Sequence, residues 1–228
     1  MDQTRGPSEE TAFLRSDFRD KTSGLKRYTL LIGYVKSREE DHVLLGFKRR
    51  GFGKGKWNGF GGKVEDGENV RQAALRELYE EAGVHCVGDG HQTSARCTLS
   101  ASEGQQFRWA GSLYFTFDKD AFPNMFVDLF SGIICACRQP RASEEMEPRW
   151  FPCSQIPYEQ MWPDDAVWLP ILIQQDRHPY PYILEAHFHY DAAAEQIRHE
   201  SIRLVSPEMA CSAHDDDMRL VSQQASGP

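Results

Sequence analysis

A chain of 228 residues is long enough for one domain with tails or two small ones, and can bury a core without disulfides or a structural metal. Hydrophobic residues make up 40% and aromatics 11%, which excludes a largely disordered chain. A formal net charge of -8 excludes general affinity for nucleic-acid polymer or an anionic membrane, though not for a small anion that a metal ion bridges to the protein.

Residues 1–25 are polar and mixed in charge, and read as a flexible extension with Phe13, Leu14 and Phe18 as apolar anchors. Its acids Glu9, Glu10, Asp17 and Asp20 argue against a transit peptide, and it lacks the apolar stretch of a signal peptide. Tyr28 to Val35 and HVLLGFKR (42–49) read as two strands of an antiparallel hairpin. RGFGKGKWNGFGGK follows with six glycines, the density of a loop whose backbone approaches something closely. It is not a P-loop, because no Ser or Thr follows a Gly-Lys pair. From Asn69 to Ala82 apolar residues recur at four-residue steps, predicting a helix that Gly83 stops.

Residues 85–106 are polar, glycine- and serine-rich, and read as a loop insertion. Strands resume at RWAGSLYFTF (108–117), MFVDLFSGIICAC (125–137) and RWFPC (149–153), with an acidic loop, RQPRASEEMEP, between the last two. A helix is expected over AVWLPILIQQ (166–175), opened by Asp165 or a neighbour, with Pro170 inside it. YILEAHFHY (182–190) and SIRLV (201–205) close the fold as strands, and 206–228 reads as a disordered tail. The six cysteines show no zinc-type CxxC pair and are expected to be reduced structural thiols. His187 and His189 share a strand face and read as structural. There is no run of about 18 apolar residues, so no membrane span is expected. A cytoplasmic protein is the default, with nucleus or mitochondrion open.

The chemistry gathers on the first helix. At about 100° per residue, Glu77, Glu80 and Glu81 share one face while Leu75, Leu78 and Ala82 face the core. Like charges at i,i+4 cost an isolated helix about 0.2–0.5 kcal/mol per pair, a cost that a bound divalent cation removes. Oxygen-only ligands suit magnesium, with manganese as a substitute. A carboxylate beside such an ion can take a proton from water, and either Glu81 or Glu80 can be that base.

Gly62, then Glu68 after five residues, then REL-YEEAGV (76–84) after seven more, matches every specified position of the Nudix box. The chain therefore resembles the Nudix hydrolases. The resemblance implies an α/β/α sandwich with a mixed β-sheet in one domain spanning 26–205. It implies Glu77, Glu80, Glu81 and the Gly61 carbonyl as metal ligands, and Arg76 as the residue that fixes a helix glutamate. KRRGFGKGKWNGFGGKVEDGE, WFPCSQIPYEQMWPDDAVWLPILIQ and YTLLIGYV are further similar to the MutT-homologue branch, which hydrolyses oxidised purine nucleoside triphosphates. For that branch the resemblance implies a base pocket built from Asn58, Trp162, Asp164 and Asp165.

Trp162 and Phe52 offer flat faces to a purine, and Asn58 both donates and accepts. Adjacent aspartates crowd like charges, which raises at least one pKa and lets a neutral acid donate to a purine carbonyl. The alternative for the two aspartates is capping of the helix they precede. Phe115 and Met125 are implied as pocket walls, Thr29 and Lys48 as base or sugar contacts, and Glu145 as an outlying metal ligand. The expected partner is a small nucleoside triphosphate, with no nucleic-acid polymer and no membrane, bound by a monomer.

Overall fold

The computed structural model describes residues 25–87, 107–135, 139–177 and 182–207. Nearly all of the expected N-terminal extension, of the 85–106 insertion and of the expected tail lies outside these residues. Strand alternation sets the architecture. In β1 (Arg27–Val35) the adjacent residues Leu31 and Ile32 are both fully buried, and in β2 (His42–Lys48) Val43, Leu44 and Leu45 are too. Successive side chains point to opposite faces, so a strand buried at consecutive positions must be covered on both sides.

Two helices supply the covers. Val70, Ala74, Leu78 and Ala82 of α1 (Val70–Ala82) pack with Leu31 and Leu44 on one face. Trp168, Leu169 and Leu172 of α2 (Asp165–Gln175) pack with Ile32, Val43 and Leu45 on the other. The result is the expected α/β/α sandwich.

The remaining strands are β3 (Trp57–Asn58), β4 (Phe107–Phe117), β5 (Met125–Ile133), β6 (Met146–Pro152), β7 (Ile183–Tyr190) and β8 (Ile197–Val205). The sheet order is β3-β2-β1-β5-β4-β7-β8, with β6 on the other edge of β2. β1 pairs with β5 and β4 with β7 in parallel, and the other pairings are antiparallel, so the sheet is mixed. The β1–β2 hairpin forms as expected. β3 was not foreseen, because its two residues lie inside the glycine-rich loop. β5 ends at Ile133, short of the expected Cys137.

One expectation is corrected. Cys153 is a free thiol, but Cys135 is disulfide-bonded. At the far end of α2, Asp176 accepts from Arg108 Nε at 3.0 Å and from the Ser131 hydroxyl. This buried polar contact ties the helix C-terminus to β4 and β5.

Candidate active site

The site begins with how α1 is anchored. Asn69 caps it, its side chain accepting from Gln72 N–H at 2.9 Å while Gln72 accepts from Asn69 N–H at 2.9 Å. Such caps stabilise a helix by about 1 kcal/mol. Gly83 ends it with φ 68°, a left-handed conformation that glycine adopts without strain.

The three glutamates then part company. Glu81 is 2% exposed; its Oε2 accepts from Gly61 N–H at 3.0 Å and its Oε1 from the Lys48 ammonium at 3.1 Å. Glu77 is half-buried, and its Oε1 accepts from Arg76 at 2.9 Å. The Glu80 side chain is 57% exposed and meets Arg76 at 3.2 Å. Arg76 also grips Glu68 through two nitrogens at 2.7 and 3.0 Å. Arg76 thus contacts Glu68, Glu77 and Glu80 at once. The shared face of three carboxylates is narrower than the helical arithmetic gave, because Glu80 turns outward to solvent.

The glycine loop meets the helix closely. A Cβ on Gly62 would stand 2.3 Å from Glu77 Oε1, and one on Gly61 would stand 2.0 Å from the Thr29 carbonyl oxygen. Burial pushes the Glu81 carboxyl up to about 7, although Lys48 and the Gly61 N–H favour its ionised form. Burial also raises Glu77, against the pull of Arg76. Burial opposes the charge on Lys48, but Glu81 and Glu145 hold its pKa above the usual lysine value.

Among the described residues no three carboxylate, thiol or imidazole side chains converge as a ready-made ligand group. Instead the Lys48 ammonium lies between Glu81 at 3.1 Å and Glu145 at 3.5 Å. A side-chain cation thus bridges the two carboxylates, and the groups around it are carboxylate oxygens. That chemistry fits a hard divalent ion.

Lys48, Gly61, Gly62 and Glu145 also line a cavity of about 300 Å³. The cavity brings together every base-pocket residue named from the sequence: Phe52, Asn58, Phe115, Met125, Trp162, Asp164, Asp165 and Thr29. Thr29 is buried, and its hydroxyl has no partner among the described residues. Asn58 accepts from Gly59 N–H at 2.8 Å. Phe52 stacks on Trp162 with centroids 5.0 Å apart and planes at 21°, so the two flat faces lie against each other. Lys56 sits 5.0 Å from the Trp162 ring centroid.

The aspartates divide their duties. Asp164 does not cap α2 with its side chain. Its Oδ1 accepts from the Tyr190 hydroxyl and its Oδ2 from the Trp168 indole at 2.9 Å. Asp165 Oδ2 accepts from Trp162 N–H at 3.0 Å, a bond within the turn that leads into α2 and not a cap of the helix. Burial raises both carboxyls. For Asp164 the Tyr190 and Trp168 donors oppose that rise, whereas for Asp165 the charge of Asp164 adds to it. Two acids buried side by side do not both ionise at neutral pH, and the donors favour Asp164 as the anion.

Sequence reasoning missed Phe117, Val127 and Tyr190. Phe117 and Val127 lie two residues beyond Phe115 and Met125, a strand period that could have found them. Tyr190 gave no such signal. His187 and His189 do share a face, both bonded to the Thr116 hydroxyl at 2.9 and 2.8 Å, with His189 also meeting Asp118 at 3.0 Å.

A family model described as the NUDIX domain matches residues 28–172. The chain is 42% identical over 135 residues to a Danio rerio protein named oxidized purine nucleoside triphosphate hydrolase, covering 59% of this chain and 74% of that one. It is 39% identical over 151 residues to the Mus musculus protein of the same name, covering 66% and 81%. Its fold is similar to the crystal structure of a MutT protein from Bacillus halodurans, with TM-score 0.54 and 19% identity over 78% of this chain and 97% of that one.

Proposed function

The chain belongs to the NUDIX family, and on that footing we propose that it hydrolyses oxidised purine nucleoside triphosphates, of the 8-oxo-dGTP and 2-hydroxy-dATP type, to the monophosphate and pyrophosphate. Such an activity clears damaged precursors from the nucleotide pool. The observation that carries the reading is one cavity lined by two chemically distinct sets of residues: the buried Asp164–Asp165 pair with Asn58 and Trp162, and Lys48, Glu145 and the Gly61–Gly62 backbone. The relatives named for that activity support the same substrate class.

Glu77, Glu81, Glu145 and the Gly61 carbonyl would hold a divalent cation, magnesium by the hardness of the donors, with Glu80 an outlying ligand. When bound, that ion supplies Lewis-acid polarisation of the phosphate oxygens and acidifies water. Glu81 is the better base of the two candidates. It is buried and held in place by the Gly61 N–H and the Lys48 ammonium, whereas Glu80 is held in solvent by Arg76. Lys48 offers a positive charge where the phosphate chain enters. In the same cavity, Asp165 as a neutral acid donates to a purine carbonyl while Asp164 stays ionised. The cavity walls Phe115, Met125 and Trp162 bury the flat ring. The partner is a single small nucleotide, and the protein acts as a monomer without nucleic-acid polymer.

The test is a panel of nucleoside di- and triphosphate derivatives with magnesium, scored for pyrophosphate or phosphate. Oxidised purine triphosphates should be turned over best, with pyrophosphate released. Preference for ADP-ribose, or no turnover of any oxidised purine triphosphate, overturns the reading. Glu81→Gln should lower kcat by about 10²-fold or more while base affinity stays within a few-fold.

A further inference from the structure

The cavity holds a group that the proposed chemistry has not used. Tyr190 ends β7, lines the cavity and is 2% exposed. Its ring stacks on Phe117 with centroids 5.9 Å apart, and lies 6.4 Å from Phe115. Its hydroxyl is fixed by two contacts with one residue: it donates to Asp164 Oδ1, and its oxygen accepts from Asp164 N–H at 3.2 Å. Trp168 takes the other carboxylate oxygen at 2.9 Å. Both oxygens of Asp164 therefore face donors: the Trp168 indole can only donate, and the Tyr190 hydroxyl, whose oxygen already accepts from the Asp164 N–H, donates to the carboxylate. Asp165 uses Oδ2 on the Trp162 N–H, and its Oδ1 has no protein partner among the described residues.

We propose that Tyr190 is a positioning residue for base recognition: by donating to Asp164 it fixes that carboxylate as the anion, and so makes Asp165 the acid whose free oxygen carries a proton toward the base. The inference rests on the purine-reading role of the cavity. A shared proton between two adjacent buried aspartates goes to the one with fewer donors. Tyr190 and Trp168 give Asp164 two side-chain donors, and Asp165 receives one backbone donor. The other titratable groups near the pair are Lys56, from the glycine loop, which favours the ionised form of Asp165, and Tyr158, from the turn before α2. Lys56 is drawn aside by the Met161 carbonyl at 3.3 Å, so it does not bond Asp165 directly. Tyr190 thereby sets which base edge the pocket accepts, a donor from Asp165 beside an acceptor from Asp164.

The experiment has a readout that needs no substrate. With aspartate labelled at the carboxyl carbon, carbon NMR through a pH titration should show Asp164 ionised and Asp165 protonated at neutral pH. A proton on Asp164 overturns the proposal. Tyr190→Phe keeps the stacked ring and removes the donor. It should move the Asp164 titration, and with it the acid limb of kcat/KM, up by about one pH unit, the size expected for loss of a hydrogen bond to a charged group. KM for an oxidised purine triphosphate should rise about tenfold, with kcat within about threefold, because the metal helix is untouched. Unchanged titration and KM in a folded Tyr190→Phe protein would reduce Tyr190 to packing and sink the idea. If that variant does not fold, Trp168→Phe removes the second donor and must shift Asp164 in the same direction. Failure of the substrate reading shows itself separately, as absent turnover with the aspartate titration still as described.

Discussion

Glu81 shows how much one residue's surroundings matter. Its carboxyl sits at about 7 in the folded chain against 4.5 for a free glutamate, with burial as the largest cause. Between those values the folded protein keeps a proton that the unfolded chain has released. Metal-free protein should therefore lose stability as pH rises from about 4.5 to 7. Thermal melts across that window should show the slope, and Glu81→Gln, which carries no titratable group, should flatten it; an equal slope in both would assign the effect elsewhere. Added divalent cation should restore the high-pH stability, since it replaces the proton. Residue identity at this site was legible because a 3.6-residue period fixes which helix positions point together. The burial of Glu81 against Gly61 and the exposure of Glu80 were not, because they depend on a loop that arrives from 20 residues away. Glu145 and Lys48 came only from family resemblance, and their salt bridge joins strands that no local pattern relates.

At the scale of elements, the glycine loop and α1 work as one unit. The N–H of Thr29 bonds the Gly62 carbonyl at 2.8 Å, and Phe60 and Leu31 exchange backbone bonds at 2.6 and 3.0 Å, so the loop lies along β1 as an added edge. That contact leaves no room beside the helix. Gly62→Ala would drive a methyl against Glu77 and force its carboxylate to swing. We expect metal affinity, read by titration calorimetry, to fall by about tenfold or more, with the melting temperature within a few degrees, as for perturbed ligand geometry in other metal sites. Intact affinity would show that Glu77 reaches the metal in another rotamer. The helices and most strands were readable from periodicity and from Gly83. β3 and the early start of β8 were not, since each is defined by its partner strand and not by its own apolar pattern.

The whole molecule depends on a sheet held between two covers, and the second cover is secured by charge. Arg108 and Asp176 form an ion pair in which the side chains are 7% and 13% exposed, with Ser131 completing it. Removing one partner of such a pair strands the other. Asp176→Ala should destabilise the fold by about 3–5 kcal/mol, measured by denaturant unfolding. Turnover at a permissive temperature should persist, because neither set of cavity residues is touched. A loss under about 1 kcal/mol would mean that water reaches Arg108 and screens the pair. This contact spans 68 residues of sequence, and neither side chain belongs to a motif, so the chain as written gave no sign of it.

The stack of Phe52 on Trp162 has a consequence for how strongly any base is held. Phe52 is 51% exposed and lies between Gly51 and Gly53, both at positive φ. With the rings against each other, no plane is available for a third ring to enter between them. The measured dissociation constant is then the intrinsic one divided by the fraction of molecules whose rings stand apart. A base that must part the rings would therefore bind more weakly by that fraction, and affinity would reflect the cost of unstacking as well as the hydrogen-bonding edge.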